Sequence, residues 1–293
     1  MKKIVISGAG GFLGTELVRK LVSNDNSHIL ALTTQAERMN EMFGECYNFE
    51  IVSAIPENAD LLINCAFPAN ANGVRLAEGL KYVSNLYKEA VSHRVKSVIH
   101  ISSQSVYSQT KNQPANETTP CDLSSKYAVG KFSVEEMTNI AFSDIPHTNI
   151  RMASLIGIHA DARIVNRFIK QVMDGKNIHV VADRQVFGFL DVRDAVSALE
   201  KLVFSDYSQW GEVYNLGKNQ GYSLQNIARL IANIGKEFEY HSSVVIEPSI
   251  QDIRDSTLDG TRLMELLHWH PEITLEQTVR DTFNYYQIER RNQ

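Results

Sequence analysis

The run Tyr127-Ala128-Val129-Gly130-Lys131 places a phenol and an ammonium four residues apart, a spacing that stacks both on one face of a helix. A phenol titrates near pH ~10, so one that moves protons at neutral pH needs a nearby positive charge to favour its phenolate. The same spacing recurs at Tyr107 with Lys111 and at Tyr214 with Lys218, so context has to choose. Tyr107 leads into the polar stretch Ser108 to Pro114, which reads as loop, and Tyr214 has Asn215 and Gly217 inside its span. Only Tyr127 opens a helical pattern, continued by Phe132, Val134, Glu135 and Met137. Upstream, Ile99 to Tyr107 reads as a strand ending in the hydroxyl cluster Ser102, Ser103 and Ser105, a means of holding a carbonyl oxygen.

A second chemical feature lies at the beginning of the chain. Lys3 to Ser7 reads as a buried strand, followed by a turn with Gly8, Gly11 and Gly14 at three-residue intervals and by apolar Phe12, Leu13, Leu17, Val18, Leu21 and Val22 at helical spacing. Glycines so placed allow a tight turn, close approach of a ligand and close packing of helix on strand, and the helix N-terminus offers free N–H groups to a pyrophosphate. This is a dinucleotide-binding turn, although its spacing departs from G-x-G-x-x-G.

The elements that must position these groups follow from alternation. Short apolar, β-branched runs recur at Lys3–Ser7, His28–Thr33, Phe49–Val52, Leu61–Cys65, Ser97–Ser102 and Thr148–Ala153, with helical patterns in most of the gaps. That is the signature of a doubly wound α/β fold whose parallel sheet is covered on both faces and whose ligands bind at strand carboxyl ends. The expected division is a nucleotide-binding Rossmann domain over 1–155, rejoined by about 187–215, with a smaller mixed α/β substrate-binding subdomain over 156–186 and 216–293. In that second part, Ser223 is placed to cap a helix from Leu224, and Thr274 to Gln277 forms a capping-box pattern.

A chain of 293 residues with 43% hydrophobic and 22% charged residues has enough apolar sequence for a large core. Its net charge of −5, without blocks of like charge, offers no footprint for nucleic acid or for a membrane surface. Three cysteines without C-x-x-C spacing argue against a disulfide framework and for the cytoplasm, and nine histidines without paired-ligand spacing give no metal site.

Taken together, the glycine turn, Ser-Ser-x-Ser-Val-Tyr and Tyr-x-x-x-Lys resemble the extended short-chain dehydrogenase/reductases, and more narrowly the NAD-dependent epimerase/dehydratase family that acts on nucleotide sugars. The likeness continues through Ile150-Arg151-Met152, Gly157, Phe189 to Ala195, Tyr214 to Gly217 and Leu267 to Pro271. It implies hydride transfer in which Tyr127 moves the hydroxyl proton, Ser103 polarises the oxygen, and Lys131 lowers the tyrosine pKa and binds nicotinamide ribose. It also implies a homodimer built on helices near Val74–Ser92 and Ser125–Ile140.

Departures from the family narrow the expectation. The second strand ends Thr33-Thr34-Gln35, with no carboxylate before Glu37 and with Arg38 following, which favours NADP(H) over NAD(H). The expected cofactor contacts are Gly8, Gly11, Phe12, Leu13, Gly14, Thr33, Thr34, Arg38, Ala66, Tyr127 and Lys131. Gln104 and Ser105 stand where the family's dehydratases carry Asp-Glu, and Ser105 where its 3,5-epimerases carry Cys, so neither activity is expected. Ser154 replaces a frequent Asn and Phe187 a frequent Arg, leaving Ser105, Ser154, Asn166, Arg167, Arg184, Gln185 and Arg254 as substrate candidates. The expected function is an NADPH-dependent reductase of a nucleotide-linked 4-keto-6-deoxysugar. The nearest enzymatic alternative is an NAD-dependent 4-epimerase, and the alternative of another class is a non-catalytic NADP-sensing regulator.

Overall fold

The computed structural model describes residues 1–68, 73–182, 185–248 and 254–292. Its first half alternates β1 (Lys2–Ser7), α1 (Phe12–Val22), β2 (Ser27–Leu32), α2 (Ala36–Phe43), β3 (Phe49–Ile51), β4 (Leu61–Asn64), α3 (Gly73–Ser92), β5 (Val98–Ser103), α4 (Lys126–Ala141) and β6 (His147–Met152), with one 3-10 turn at Gln104–Val106. The second half comprises β7 (Ser154–Ile156), α5 (Ile164–Met173), β8 (Ile178–Ala182), β9 (Gln185–Asp191), α6 (Val192–Val203), β10 (Val213–Leu216), β11 (Gly221–Ser223), α7 (Leu224–Glu237), β12 (Val244–Pro248), β13 (Arg254–Asp255), α8 (Thr261–Leu267) and α9 (Leu275–Arg291).

Seven strands make one parallel sheet in the order β3-β2-β1-β4-β5-β6-β10. Chain order reverses between β1 and β4, where Ser7 is paired with Asn64, and this reversal opens the ligand crevice of a doubly wound sheet. The strands are apolar on both sides because both faces are covered. Ile4 and Ile6 of β1 pack with Leu17, Leu21, Val196 and Leu199 of α1 and α6, whereas Val5 packs with Val83, Leu86 and Val134 of α3 and α4.

A second core gathers α5, α7 and α9 around Phe168, Ile169, Ile227, Ile231, Val279 and Phe283. Beside it β9 pairs with β7, β11 and β13, and β8 pairs with β12. The expected division of the chain blurs in two places. Within β9, Leu190 belongs to the first core and Phe189 to the second. Leu263, Leu267 and Trp269, expected on the substrate side, instead pack in the first core with Tyr214 and Leu216, because edge strand β10 must have its apolar face covered.

Helix entry follows the chemistry read from sequence. Ser223 accepts from Asn226 N–H at 3.2 Å and Thr274 from Gln277 N–H at 3.1 Å; Ser125, which the sequence reading did not single out, caps α4 by accepting from Ala128 N–H at 3.0 Å. The capping box at Thr274 is half formed, since the Gln277 amide turns instead to Asp281, 2.8 Å away. Among the described residues no helix is long and apolar enough to cross a membrane.

Candidate active site

Tyr127, Lys131 and Glu135 occupy successive turns on one face of α4, which lies against β5. Ser103 ends β5, and its Oγ accepts the Ser105 N–H at 3.2 Å. Burial pushes the Tyr127 phenol above its ordinary value, and two groups oppose that shift, the Arg163 guanidinium and the Ser103 hydrogen bond. Lys131, only 4% exposed, donates to the Ile101 carbonyl at 2.8 Å. Burial lowers its pKa to about 8, against the pull of Cys65 and Glu135. Sequence spacing assigned to Lys131 the charge that acts on the phenol. In the fold its ammonium stands 6.0 Å from the Tyr127 ring centroid and is turned to β5, and the opposing charge comes from Arg163, exposed at the start of α5. No motif marks Arg163; the loop after β7 brings it there.

Beneath these groups lies a buried polar network. Glu135 accepts from Ser102 Oγ and, through both oxygens, from Arg151, whose Nη2 is 2.7 Å away. Arg151 Nη1 donates to Tyr107 at 2.9 Å, and the Tyr107 hydroxyl donates to Asn215 at 2.9 Å. Tyr107, which reads as the entrance to a loop, is thus a fully buried anchor joining β6 to β10. Ser102 and Ser103 alternate across the strand, so one hydroxyl serves this network while the next is left to Tyr127.

The glycine turn borders the cleft. Gly8 has φ of +77°, and a Cβ there would stand 2.8 Å from the Ala66 backbone nitrogen. A Cβ on Gly14 would fall on the Gly8 carbonyl oxygen, and one on Gly10, a glycine the spacing argument passed over, would meet Thr33 Oγ1 at 2.6 Å. From this turn a cavity of about 770 Å³ runs past Thr33, Thr34 and Gln35 to Cys65, Ala66, Phe67 and Pro68, with Arg75, Glu78 and Tyr82 of α3 on the far side. Sequence reasoning did not find that far wall. Tyr82 spans the cleft to Ser7, 2.8 Å between oxygens. The cradle, its volume and the α1 N-terminus fit a dinucleotide. Arg38 Nη1 donates to the Gly10 carbonyl at 3.2 Å and to Gln35 Oε1 at 2.8 Å, so a guanidinium stands beside the turn at the end of β2. Phe12 lines a different, smaller cavity of about 200 Å³ with Gly157 and Val192, and Leu13 packs against the first core.

The substrate candidates are not gathered into one cluster. Ser105 Oγ is buried and has no hydrogen-bond partner among the described residues. Ser154 is half-buried at the start of β7, and Arg254 is exposed on β13 beside Gln185. Asn166 is fully buried, and its NH₂ is spent on the carbonyls of Gly157 and Ile158 and on Tyr286, which leaves no donor for a diphosphate. Arg167 is exposed on α5. Arg184 lies outside the described residues. Among the described residues no group of three His, Cys, Asp or Glu side chains is placed to hold a metal ion.

Residues 4–217 match the profile of the NAD dependent epimerase/dehydratase family. A UDP-glucose 4-epimerase of Mycolicibacterium smegmatis is 26% identical over 97% of this chain and 98% of its own length. A UDP-glucuronic acid decarboxylase 1 of Xenopus tropicalis is 26% identical over 100% of this chain and 74% of its own. The fold is shared with UDP-glucuronic acid 4-epimerase from Bacillus cereus, solved in complex with UDP-glucuronic acid and NAD, at a TM-score of 0.83 and 19% identity over 98% of this chain and 99% of that one.

Two outcomes follow from the electrostatics. Glu135→Gln strands the Arg151 charge in the interior and should cost about 3–5 kcal/mol in urea unfolding, with most of the loss recovered in a Glu135→Met, Arg151→Met double variant. Arg163→Gln removes a charge that favours the phenolate, so the rising limb of the kcat–pH profile should move to higher pH by roughly a few tenths of a unit, the guanidinium being exposed.

Proposed function

Since the chain belongs to the NAD dependent epimerase/dehydratase family and is an enzyme of the extended short-chain dehydrogenase/reductase type, we propose that it inverts C4 of a nucleoside-diphosphate sugar by removing a hydride and returning it. The observation that carries this reading is that Ser103 acts on the Tyr127 phenol, with no acid at the two positions that follow Ser103. Position 104 is a glutamine whose carbonyl accepts from Gln109 at 3.1 Å, and position 105 is a serine. Water elimination needs a further acid and base, and neither is supplied there. Oxidation and re-reduction at one carbon need only the groups present.

Tyr127 takes the proton of the C4 hydroxyl and later gives it back, and Ser103 hydrogen-bonds the same oxygen in both directions. Lys131 holds a positive charge beneath the reacting end of the cleft. Gly8, Gly10, Gly14 and Thr33 would hold the dinucleotide, whose nicotinamide carbon supplies reversible hydride acceptance when bound. The buried Ser105 hydroxyl, beside Ser103, is assigned to the sugar.

One observation favours a second reading. Thr33, Thr34 and Gln35 line the cleft where an NAD-preferring protein usually presents a carboxylate, and Arg38 stands beside them. This suits the 2′-phosphate of NADPH and net reduction of a 4-keto sugar, a ketone acquiring hydride and a proton from Tyr127. Assembly as a homodimer is supported by an apolar groove of about 530 Å³ between α3 and α4, where Val91 is 54% and Ile140 77% exposed.

Cofactor carried through gel filtration decides between the two readings. Bound NAD, with interconversion of C4 epimers and no net cofactor change, supports the epimerase, whereas stoichiometric NADPH consumption with a 4-keto sugar supports the reductase. In either case Tyr127→Phe should lower kcat by roughly 10²-fold or more while leaving cofactor affinity within a few-fold. Turnover near that of the native protein would remove Tyr127 from its role. Ile140→Glu should convert the dimer to a monomer by light scattering.

A further inference from the structure

Two glycines lie inside the helices that flank the reacting groups, although glycine is a poor helix former. Gly79 is within α3, and Gly130 is within α4, immediately before Lys131. Both make room for one dipeptide at the end of β4. A Cβ on Gly79 would stand 2.6 and 2.8 Å from ring carbons of Pro68, and a Cβ on Gly130 would stand 2.7 Å from Cζ of Phe67, with Leu76 crowding the same socket. Seated there, the Phe67 ring meets Tyr127 edge-on, with centroids 6.0 Å apart and planes at 67°, and its centroid is 4.8 Å from Lys131 Nζ. The ammonium has three protons to place, and Ile101 accepts one of them.

We propose that Phe67 is a positioning residue of the hydride-transfer site: seated by Gly79 and Gly130, its ring face holds the Lys131 ammonium and its T-shaped contact orients the Tyr127 ring. The inference rests on the catalytic reading given to Tyr127 and Lys131, and it adds the group that keeps a buried cation charged with few oxygen partners. A ring face attracts an ammonium most strongly where water is excluded.

The other groups that act on this ammonium come from several elements. Cys65 follows β4 and Glu135 follows on α4, and both raise its pKa; His100 on β5 is buried and held well below the usual imidazole range by burial and by Lys131 itself. Tyr127 lies one turn away, Arg163 acts on Tyr127, and Arg151 is neutralised by Glu135. None of them replaces an apolar ring face.

The test is competitive acetylation of the cofactor-free protein across pH, with labelling of Lys131 read by mass spectrometry. Phe67→Leu keeps an apolar wall but removes the π face, so the cation is less favoured, and Lys131 should titrate lower by roughly half a pH unit or more. Phe67→Tyr keeps the face and should titrate with the native protein. In turnover, Phe67→Leu should lower kcat several-fold more than it changes KM, and Phe67→Tyr should restore it. A native Lys131 titration in Phe67→Leu, or equal shifts in the two variants, overturns the proposal. The labelling uses no substrate, so an error in the assigned reaction would leave its outcome unchanged.

Discussion

The buried ion pair of Glu135 and Arg151 constrains everything above it. A carboxylate 2% exposed and a guanidinium 6% exposed cannot separate without leaving an uncompensated charge in the interior. Their bidentate contact therefore holds α4 against β6, and Ser102 ties the same carboxylate to β5. Lys131 and Tyr127 are one and two helical turns from Glu135, so the register set by the pair is inherited by both. Through Tyr107 and Asn215 the constraint reaches β10, whose Asn215 amide bonds the Ala115 and Asp259 carbonyls. Tyr127 and Lys131 thus stand on a base that cross-links α4 with β5, β6 and β10.

Charge in the site is governed by burial before any neighbour acts. Burial raises the Tyr127 phenol and lowers the Lys131 ammonium to about 8, so both are driven toward their neutral forms. The structure opposes that tendency with separate devices. Arg163 and Ser103 act on the phenol, and Glu135, Cys65 and the Phe67 ring face act on the ammonium. A tyrosine and a lysine on one helix face are therefore not a self-sufficient pair. Each depends on residues brought from other elements.

The parts of this arrangement that were legible in sequence are those with local causes. The strand runs, the Ser223 and Thr274 caps and the Gly8 turn depend on neighbours within a few residues, and each is found where the pattern places it. The Thr274 capping box shows where local reasoning ends. Its second arm, in which the Gln277 side-chain oxygen would accept the Thr274 N–H, gives way to Asp281, one helical turn further along, whose carboxylate draws the Gln277 NH₂ to itself. Asn166 read as a polar residue free for a ligand, yet Tyr286, far away in the chain, claims its amide. Tyr107 read as a loop entrance because its partners, Arg151 and Asn215, are remote in sequence.

The sequence by itself determined the doubly wound fold, the glycine turn after β1 and the placing of Tyr127 and Lys131 on one helix face, since strand periodicity, glycine spacing and Tyr-x-x-x-Lys are short-range signals whose physics is contained in a few residues. Only the tertiary structure decided which charge acts on Tyr127, which residues wall the cleft from α3, and what Gly79 and Gly130 are for. Those outcomes rest on contacts between β4, α3, α4 and the loop after β7. The contacts exist because the parallel sheet brings strand ends together at one edge, and no pattern within a single segment encodes what will stand opposite it.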